Sequence, residues 1–72
     1  MKNNQMPIGV KTIFEYNQCK AFLNGEIGLG KMYPIMMIYW EEISFMLKDQ
    51  NVNEIPDQKI AENFCRNVNL IS

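Results

Sequence analysis

MYPIMMIYWEEISFML, at residues 32–47, is the stretch of sequence that decides the fold of this chain. It carries most of the large apolar side chains of the middle third, and only three polar residues interrupt it. Methionine and leucine outnumber the β-branched residues and the run exceeds the usual length of a strand, which favours a helix. Pro34 fits the first turn of that helix, where its missing N–H costs little. We therefore predict a helix over residues 34–49.

This central helix would offer water only one line of residues, at Met37, Glu41, Ser44 and Lys48. A helix that is apolar over the rest of its circumference has to be covered on more than one side. Methionine provides an adaptable surface, and tryptophan and tyrosine are common anchors of protein interfaces. The residues predicted to form a partner or oligomer interface are Met36, Tyr39, Trp40, Phe45 and Met46.

An amphipathic segment precedes the central run. Thr12 and Glu15 have the spacing of a capping box, which marks the start of a helix. Asn24-Gly25 is a suitable stop, since glycine tolerates the left-handed conformation found at helix ends. These signals predict a helix over residues 13–24. The alternative for this segment is a strand over residues 9–16, where β-forming residues alternate.

A second amphipathic segment lies near the C-terminus and predicts a helix over residues 57–68, with Asp57 capping its N-terminus. Residues 1–10 contain Pro7 and Gly9, which oppose helix, and we expect a mobile arm there. The predicted fold is an all-α single domain spanning residues 1–72. Its three helices are expected at 13–24, 34–49 and 57–68.

Length and charge exclude several classes of protein. With 72 residues there is room for one small core. Seven lysines and arginines are spread evenly against eight acidic residues, without the basic patch that nucleic-acid binders use. The central run is shorter than the roughly 20 apolar residues that cross a bilayer, and no secretory signal is visible. We expect a cytoplasmic protein with no membrane association, no nucleic-acid partner and free cysteines.

Catalytic and metal-binding residues are not predicted. The chain has no histidine, the commonest general base and zinc ligand. Glu41 and Glu42 are adjacent, so on a helix their carboxylates point in different directions. Cys19 and Cys65 have neither a CxxC partner nor a histidine, and as small apolar side chains they fit the inner faces of their helices.

The loop before the central run contains one motif. Gly25-Glu26-Ile27-Gly28-Leu29-Gly30-Lys31 satisfies G-x-x-x-x-G-K, and with the preceding AFLN it resembles the nucleotide-binding segment of helicase-like ATPases. The resemblance implies backbone amides around phosphates, with Lys31 on the β- and γ-phosphates. Position 32 is methionine, so the hydroxyl that binds magnesium is missing. We therefore expect a helix connector without a cofactor, and keep nucleotide binding as a distant alternative.

A helix-turn-helix DNA-binding regulator is the alternative to a protein-binding function. The predicted helix over 57–68 would be the recognition helix, with base-reading chemistry at Lys59, Asn63, Arg66 and Asn67. The connection from Lys48 to Asp57 is long for the 3–4-residue turn of that motif, and Glu62 would face phosphates.

The function expected from these observations is non-catalytic binding of another protein, together with self-association as a homodimer. The size suits a regulator, an inhibitor or an adaptor. Nine asparagines indicate an AT-rich coding sequence, which is common in phages and mobile elements.

Overall fold

Four α-helices and two short strands follow one another along residues 7–71, the part of the chain that the computed structural model describes. In chain order the elements are β1 (Ile8–Val10), α1 (Ile13–Leu23), α2 (Tyr33–Ile38), α3 (Trp40–Met46), α4 (Asp57–Arg66) and β2 (Val68–Leu70), with 3-10 turns at Leu29–Lys31 and Val52–Glu54. The prediction of a small, mostly helical domain is confirmed, and the strands are an addition to it.

The first helix begins and ends where its capping residues predict. The Thr12 hydroxyl accepts a hydrogen bond from the Glu15 backbone N–H at 3.1 Å, which satisfies one free donor of the first turn. Gly25, just beyond the C-cap, has a φ of +79°, in the left-handed region that glycine adopts without strain. Its N–H donates to Phe22 O at 3.1 Å, and the next N–H donates to Ala21 O at 2.9 Å. The predicted helix over 13–24 is therefore confirmed to within a residue.

The structure replaces the predicted helix over residues 34–49 with two shorter helices, α2 and α3. Tyr39 separates them, with a φ of −107° and a ψ of 23°. The hydrogen-bond ladder resumes at once, since Tyr39 N donates to Ile35 O at 3.3 Å and Ile43 N donates to Tyr39 O at 3.0 Å. The second of these helices ends at Met46, and Leu47, its C-cap, is almost fully buried.

Tertiary contacts meet at Tyr39, at the junction of α2 and α3. The ring of Tyr39 is buried and stacks on that of Phe64 in α4, with the ring centroids 6.0 Å apart. Its hydroxyl accepts a hydrogen bond from the Lys11 N–H at 3.0 Å and donates one to the Glu15 carboxylate. These contacts come from residues far away in sequence, and helix propensity alone cannot anticipate them.

The two ends of the described chain pair with each other. Strands β1 and β2 are parallel, with Ile8 opposite Val68 and Val10 opposite Leu70. Residues 8–10, predicted as part of a mobile arm, are thus held in a sheet, while residues 1–6 of that arm lie outside the described residues. The last helix ends at Arg66 rather than at residue 68, because Val68 belongs to the second strand.

The core is formed by side chains from all four helices and both strands. Its buried side chains are Ile8, Val10, Cys19, Phe22, Met32, Ile35, Met36, Tyr39, Ile43, Leu47, Ile60, Ala61, Phe64, Cys65 and Val68. No charged side chain is buried among the described residues, so the core is held by apolar packing. Within residues 7–71 no helix has both the length and the apolar character required to cross a bilayer.

Candidate partner-binding surface

The structure separates the five residues predicted to form an interface. Trp40 and Phe45 are exposed, and Met46 is half-buried against the core. Met36 and Tyr39 are buried, so their side chains contribute to the core rather than to the exposed surface. Met36, Tyr39 and Ile43 recur at helical spacing on the arc that faces the core. The sequence does not show which arc this is, because the segment is apolar over most of its circumference.

Outside this arc, two apolar residues that the sequence analysis did not assign to the interface are exposed. Ile38 was expected on the covered arc and is exposed, and Met37 was expected on the water-facing line without a binding role. The exposed fractions of Met37, Ile38, Trp40 and Phe45 are 76%, 62%, 42% and 60%. We refer to these four side chains as the α2–α3 face. No sequence signal marks Ile38, because its exposure depends on which arc of the apolar segment the core covers.

A groove opens beside this face, with a volume of about 470 Å³. It is lined by Tyr33, Met36, Met37, Trp40 and Asp57. Four of these side chains are apolar or aromatic, and Asp57 supplies one carboxylate. We refer to it as the Trp40 groove. Helix α2 supplies three of its five lining residues, and the first residues of α3 and α4 supply the other two.

Tyr33 and Asp57 fix the side of the groove formed by α2 and α4. The Tyr33 hydroxyl donates a hydrogen bond to Asp57 Oδ2 at 2.7 Å. This hydrogen bond, with a smaller effect of burial and of the negative charge, raises the pKa of the Tyr33 phenol. The phenol therefore remains a hydrogen-bond donor to the carboxylate at neutral pH. Pro34, which follows Tyr33 in the first turn of α2, starts the helix at this point.

Charged residues are close in sequence to the α2–α3 face. The Lys48 ammonium lies 4.4 Å from the centroid of the Phe45 ring, a cation–π contact that covers one side of that ring. Glu41 and Glu42 are exposed. Within residues 7–71 neither carboxylate forms an ion pair with a lysine or an arginine.

The Gly25–Lys31 segment lies between helices. Helix α1 precedes it, Gly25 ends that helix, and Leu29–Lys31 is a 3-10 turn. In a P-loop the glycine-rich segment follows a β-strand and opens a helix. The local structure around Lys31 therefore differs from that of the ATPases which the motif resembles, and it agrees with a helix connector.

The residues proposed for base reading are partly engaged within α4 and its C-cap. Lys59 forms an ion pair with Glu62 at 4.0 Å. The Asn67 side-chain amide donates to the Asn63 carbonyl at 2.7 Å. Residues 47–56 separate α3 from α4, which is longer than the turn of a helix-turn-helix motif. The geometry thus gives DNA recognition no support.

Cys19 in α1 and Cys65 in α4 meet in the core as free thiols. Their mutual hydrogen bond raises the pKa of the Cys65 thiol, to which burial adds, and lowers the pKa of the Cys19 thiol against the opposing effect of burial. The described residues contain no group of three or more cysteine and carboxylate side chains able to hold a metal ion. Both cysteine side chains are shielded from solvent and pack in the core.

Comparisons of the chain with protein-family models, with curated proteins and with solved structures find no match.

Proposed function

We propose that this chain is a small non-catalytic protein that acts by binding another protein through its α2–α3 face. The observation that supports this proposal is the exposure of Met37, Ile38, Trp40 and Phe45 on two consecutive helices. Burying one such side chain is worth about 1.5–3 kcal/mol, a large fraction of what a domain of this size has in total. A partner that covers the face recovers that free energy.

The composition of the face also suits an interface. Tryptophan and aromatic rings are frequent energetic centres of protein complexes, and methionine adapts to the shape of the partner. Glu41, Glu42 and Lys48 are exposed and close in sequence to these apolar side chains, and protein interfaces usually combine an apolar centre with charged residues. A regulator, an inhibitor or an adaptor, encoded by a phage or a mobile element, would have this size and composition.

The proposal is tested by placing a photo-crosslinking phenylalanine analogue at position 45 and identifying the cross-linked protein from the cell of origin. The affinity of the purified partner is then measured by calorimetry for the wild type and for Phe45→Glu. We expect Phe45→Glu to weaken binding at least about tenfold, because a carboxylate would have to be desolvated in the interface.

Phe14→Glu is the matched control. Phe14 lies in the first turn of α1, away from the α2–α3 face, and its exposed fraction of 63% is close to that of Phe45. We expect this variant to bind the partner like the wild type. A partner whose affinity is lowered by Phe14→Glu and unchanged by Phe45→Glu would contradict the proposal.

A further inference from the structure

We propose that the Trp40 groove receives the cationic side chain of a lysine or arginine from the protein that covers the α2–α3 face. This inference rests on the proposed function and specifies the chemistry of the partner. It is carried by the combination of aromatic rings, methionines and one carboxylate around a single groove of about 470 Å³.

The first step of the argument concerns the Asp57 carboxylate. It accepts a hydrogen bond from the Tyr33 hydroxyl but forms no ion pair with any lysine or arginine within residues 7–71. Lys59, two residues further along α4, pairs with Glu62 instead. The groove thus contains a negative charge that the described part of the chain leaves without a counter-ion.

The second step concerns the cost of filling the groove. An apolar occupant would remove water from Asp57 and supply nothing in its place, which is costly for an ionised carboxylate. An anionic occupant would add like-charge repulsion. A lysine or arginine head group instead pairs with the carboxylate and keeps the favourable burial of its aliphatic stem.

The third step concerns the rings. Trp40 is 42% and Tyr33 is 41% exposed, so both present accessible aromatic surface to the groove. A cation is attracted to the faces of such rings, most strongly to tryptophan. Met36 and Met37 complete the lining, and they can adapt to an aliphatic stem. The groove therefore offers apolar surface to the aliphatic stem of a lysine or arginine, and aromatic rings and a carboxylate to its positive head group.

The experiment uses the fluorescence of Trp40, the single tryptophan of the chain, as a reporter located in the groove. The purified protein is titrated with n-hexylammonium, n-hexanol and hexanoate, three probes of similar length that differ in charge. We expect hexylammonium to bind about fivefold more tightly than hexanol, and hexanoate to bind more weakly than either. High salt should weaken the binding of hexylammonium and leave that of hexanol unchanged.

Asp57→Asn tests the role of the carboxylate, and Asp49→Asn is the matched control. The amide introduced by Asp57→Asn retains an oxygen that can accept the Tyr33 hydrogen bond, and Asp49 is exposed and does not line the groove. We expect Asp57→Asn to reduce the preference for hexylammonium over hexanol to about twofold or less, and Asp49→Asn to leave it unchanged. Far-UV circular dichroism verifies that both variants are folded.

Equal affinities of the wild type for hexylammonium and hexanol, no response of Trp40 to any probe, or an equal effect of both substitutions would overturn the inference. If Asp57→Asn does not fold, the salt dependence of hexylammonium binding to the wild type still tests the inference. Binding that high salt does not weaken would contradict it. Failure here is distinguishable from failure of the proposed function, because the latter is measured with Phe45→Glu, and Phe45 does not line the groove.

Discussion

Tyr39 is the residue whose contacts determine how the middle of the chain is arranged. Its buried ring stacks on Phe64, and its hydroxyl joins the Lys11 N–H to the Glu15 carboxylate. A single side chain thus connects the junction of α2 and α3 with α1, α4 and the segment after β1. Burial and the hydrogen bond to Glu15 raise the pKa of the Tyr39 phenol, so it remains a donor at neutral pH.

Tyr39→Phe is predicted to destabilise the domain by about 1–2 kcal/mol, because the Lys11 N–H and the Glu15 carboxylate lose a partner in a partly buried site. The difference in unfolding free energy is measured by urea denaturation monitored by circular dichroism. Tyr33→Phe is the matched control, since Tyr33 also donates to a carboxylate but at an exposed position. We expect it to leave the urea midpoint unchanged, and equal losses in the two variants would contradict the structural role of Tyr39.

Glu15 makes stability depend on pH. The hydrogen bond from Tyr39 lowers the pKa of the Glu15 carboxyl below its ordinary value of 4.5, against the opposing effect of burial and with help from Thr12 and Lys11. A carboxyl group whose pKa is lower in the folded state stabilises the protein above its unfolded pKa. That contribution is lost as the pH falls through the folded pKa.

We therefore predict that the urea midpoint of the wild type falls between about pH 6 and about pH 3, and that Glu15→Gln makes this fall smaller. Glu26→Gln, which removes an exposed carboxylate from the loop after α1, serves as the control and should retain the wild-type slope. A slope that is the same in the wild type and in Glu15→Gln would show that the Glu15 hydrogen bonds do not contribute.

At the scale of elements, residues 8–10 were predicted to be mobile and form the strand β1 in the structure. This difference can be tested by the effect of a substitution there on stability. Ile8→Ala is predicted to destabilise the domain by about 2–5 kcal/mol, because Ile8 is only 3% exposed and its removal leaves a cavity. Ile13→Ala, at the exposed start of α1, is the control and should change stability by no more than about 0.5 kcal/mol. Equal, small effects would indicate that residues 8–10 are the mobile arm which the sequence suggested.

Local signals predicted the elements whose boundaries are set locally. The cap at Thr12, the stop at Gly25 and the regular apolar spacing around Phe64 lie within α1 and α4 or at their ends, and both helices were placed within a residue or two. The pairing of β1 with β2 joins Ile8 to Val68, at opposite ends of the described chain, and no local pattern contains that information.

The candidate site was predicted only in part for the same reason. Trp40 and Phe45 were identified from their residue types, and both are exposed. Ile38 was missed and Tyr39 is buried, because the arc of this apolar segment that faces the core depends on contacts distant in sequence, such as those of Tyr39 with Glu15 and Phe64. The groove was also invisible to sequence reasoning, since Tyr33 and Asp57 come from different helices.

At the scale of the whole molecule, the apolar surface that remains outside the core favours self-association when no other partner is present. Each of the side chains on the α2–α3 face would gain free energy by leaving water, and a chain of 72 residues has little stability from its own core. Two copies related by a two-fold axis would cover both faces with one self-complementary surface.

We therefore predict a homodimer at tens of micromolar, observed by light scattering during size-exclusion chromatography as a mass twice the chain mass of 8.5 kDa. Phe45→Glu is expected to yield the monomer, because two carboxylates would face each other close to the two-fold axis in a desolvated interface. Phe14→Glu should remain a dimer, since Phe14 is equally exposed but lies on α1.

A wild-type protein that is monomeric under these conditions would contradict the homodimer prediction and leave the α2–α3 face available to a different protein. A dimer that persists in Phe45→Glu and dissociates in Phe14→Glu would instead place the contact between copies on α1.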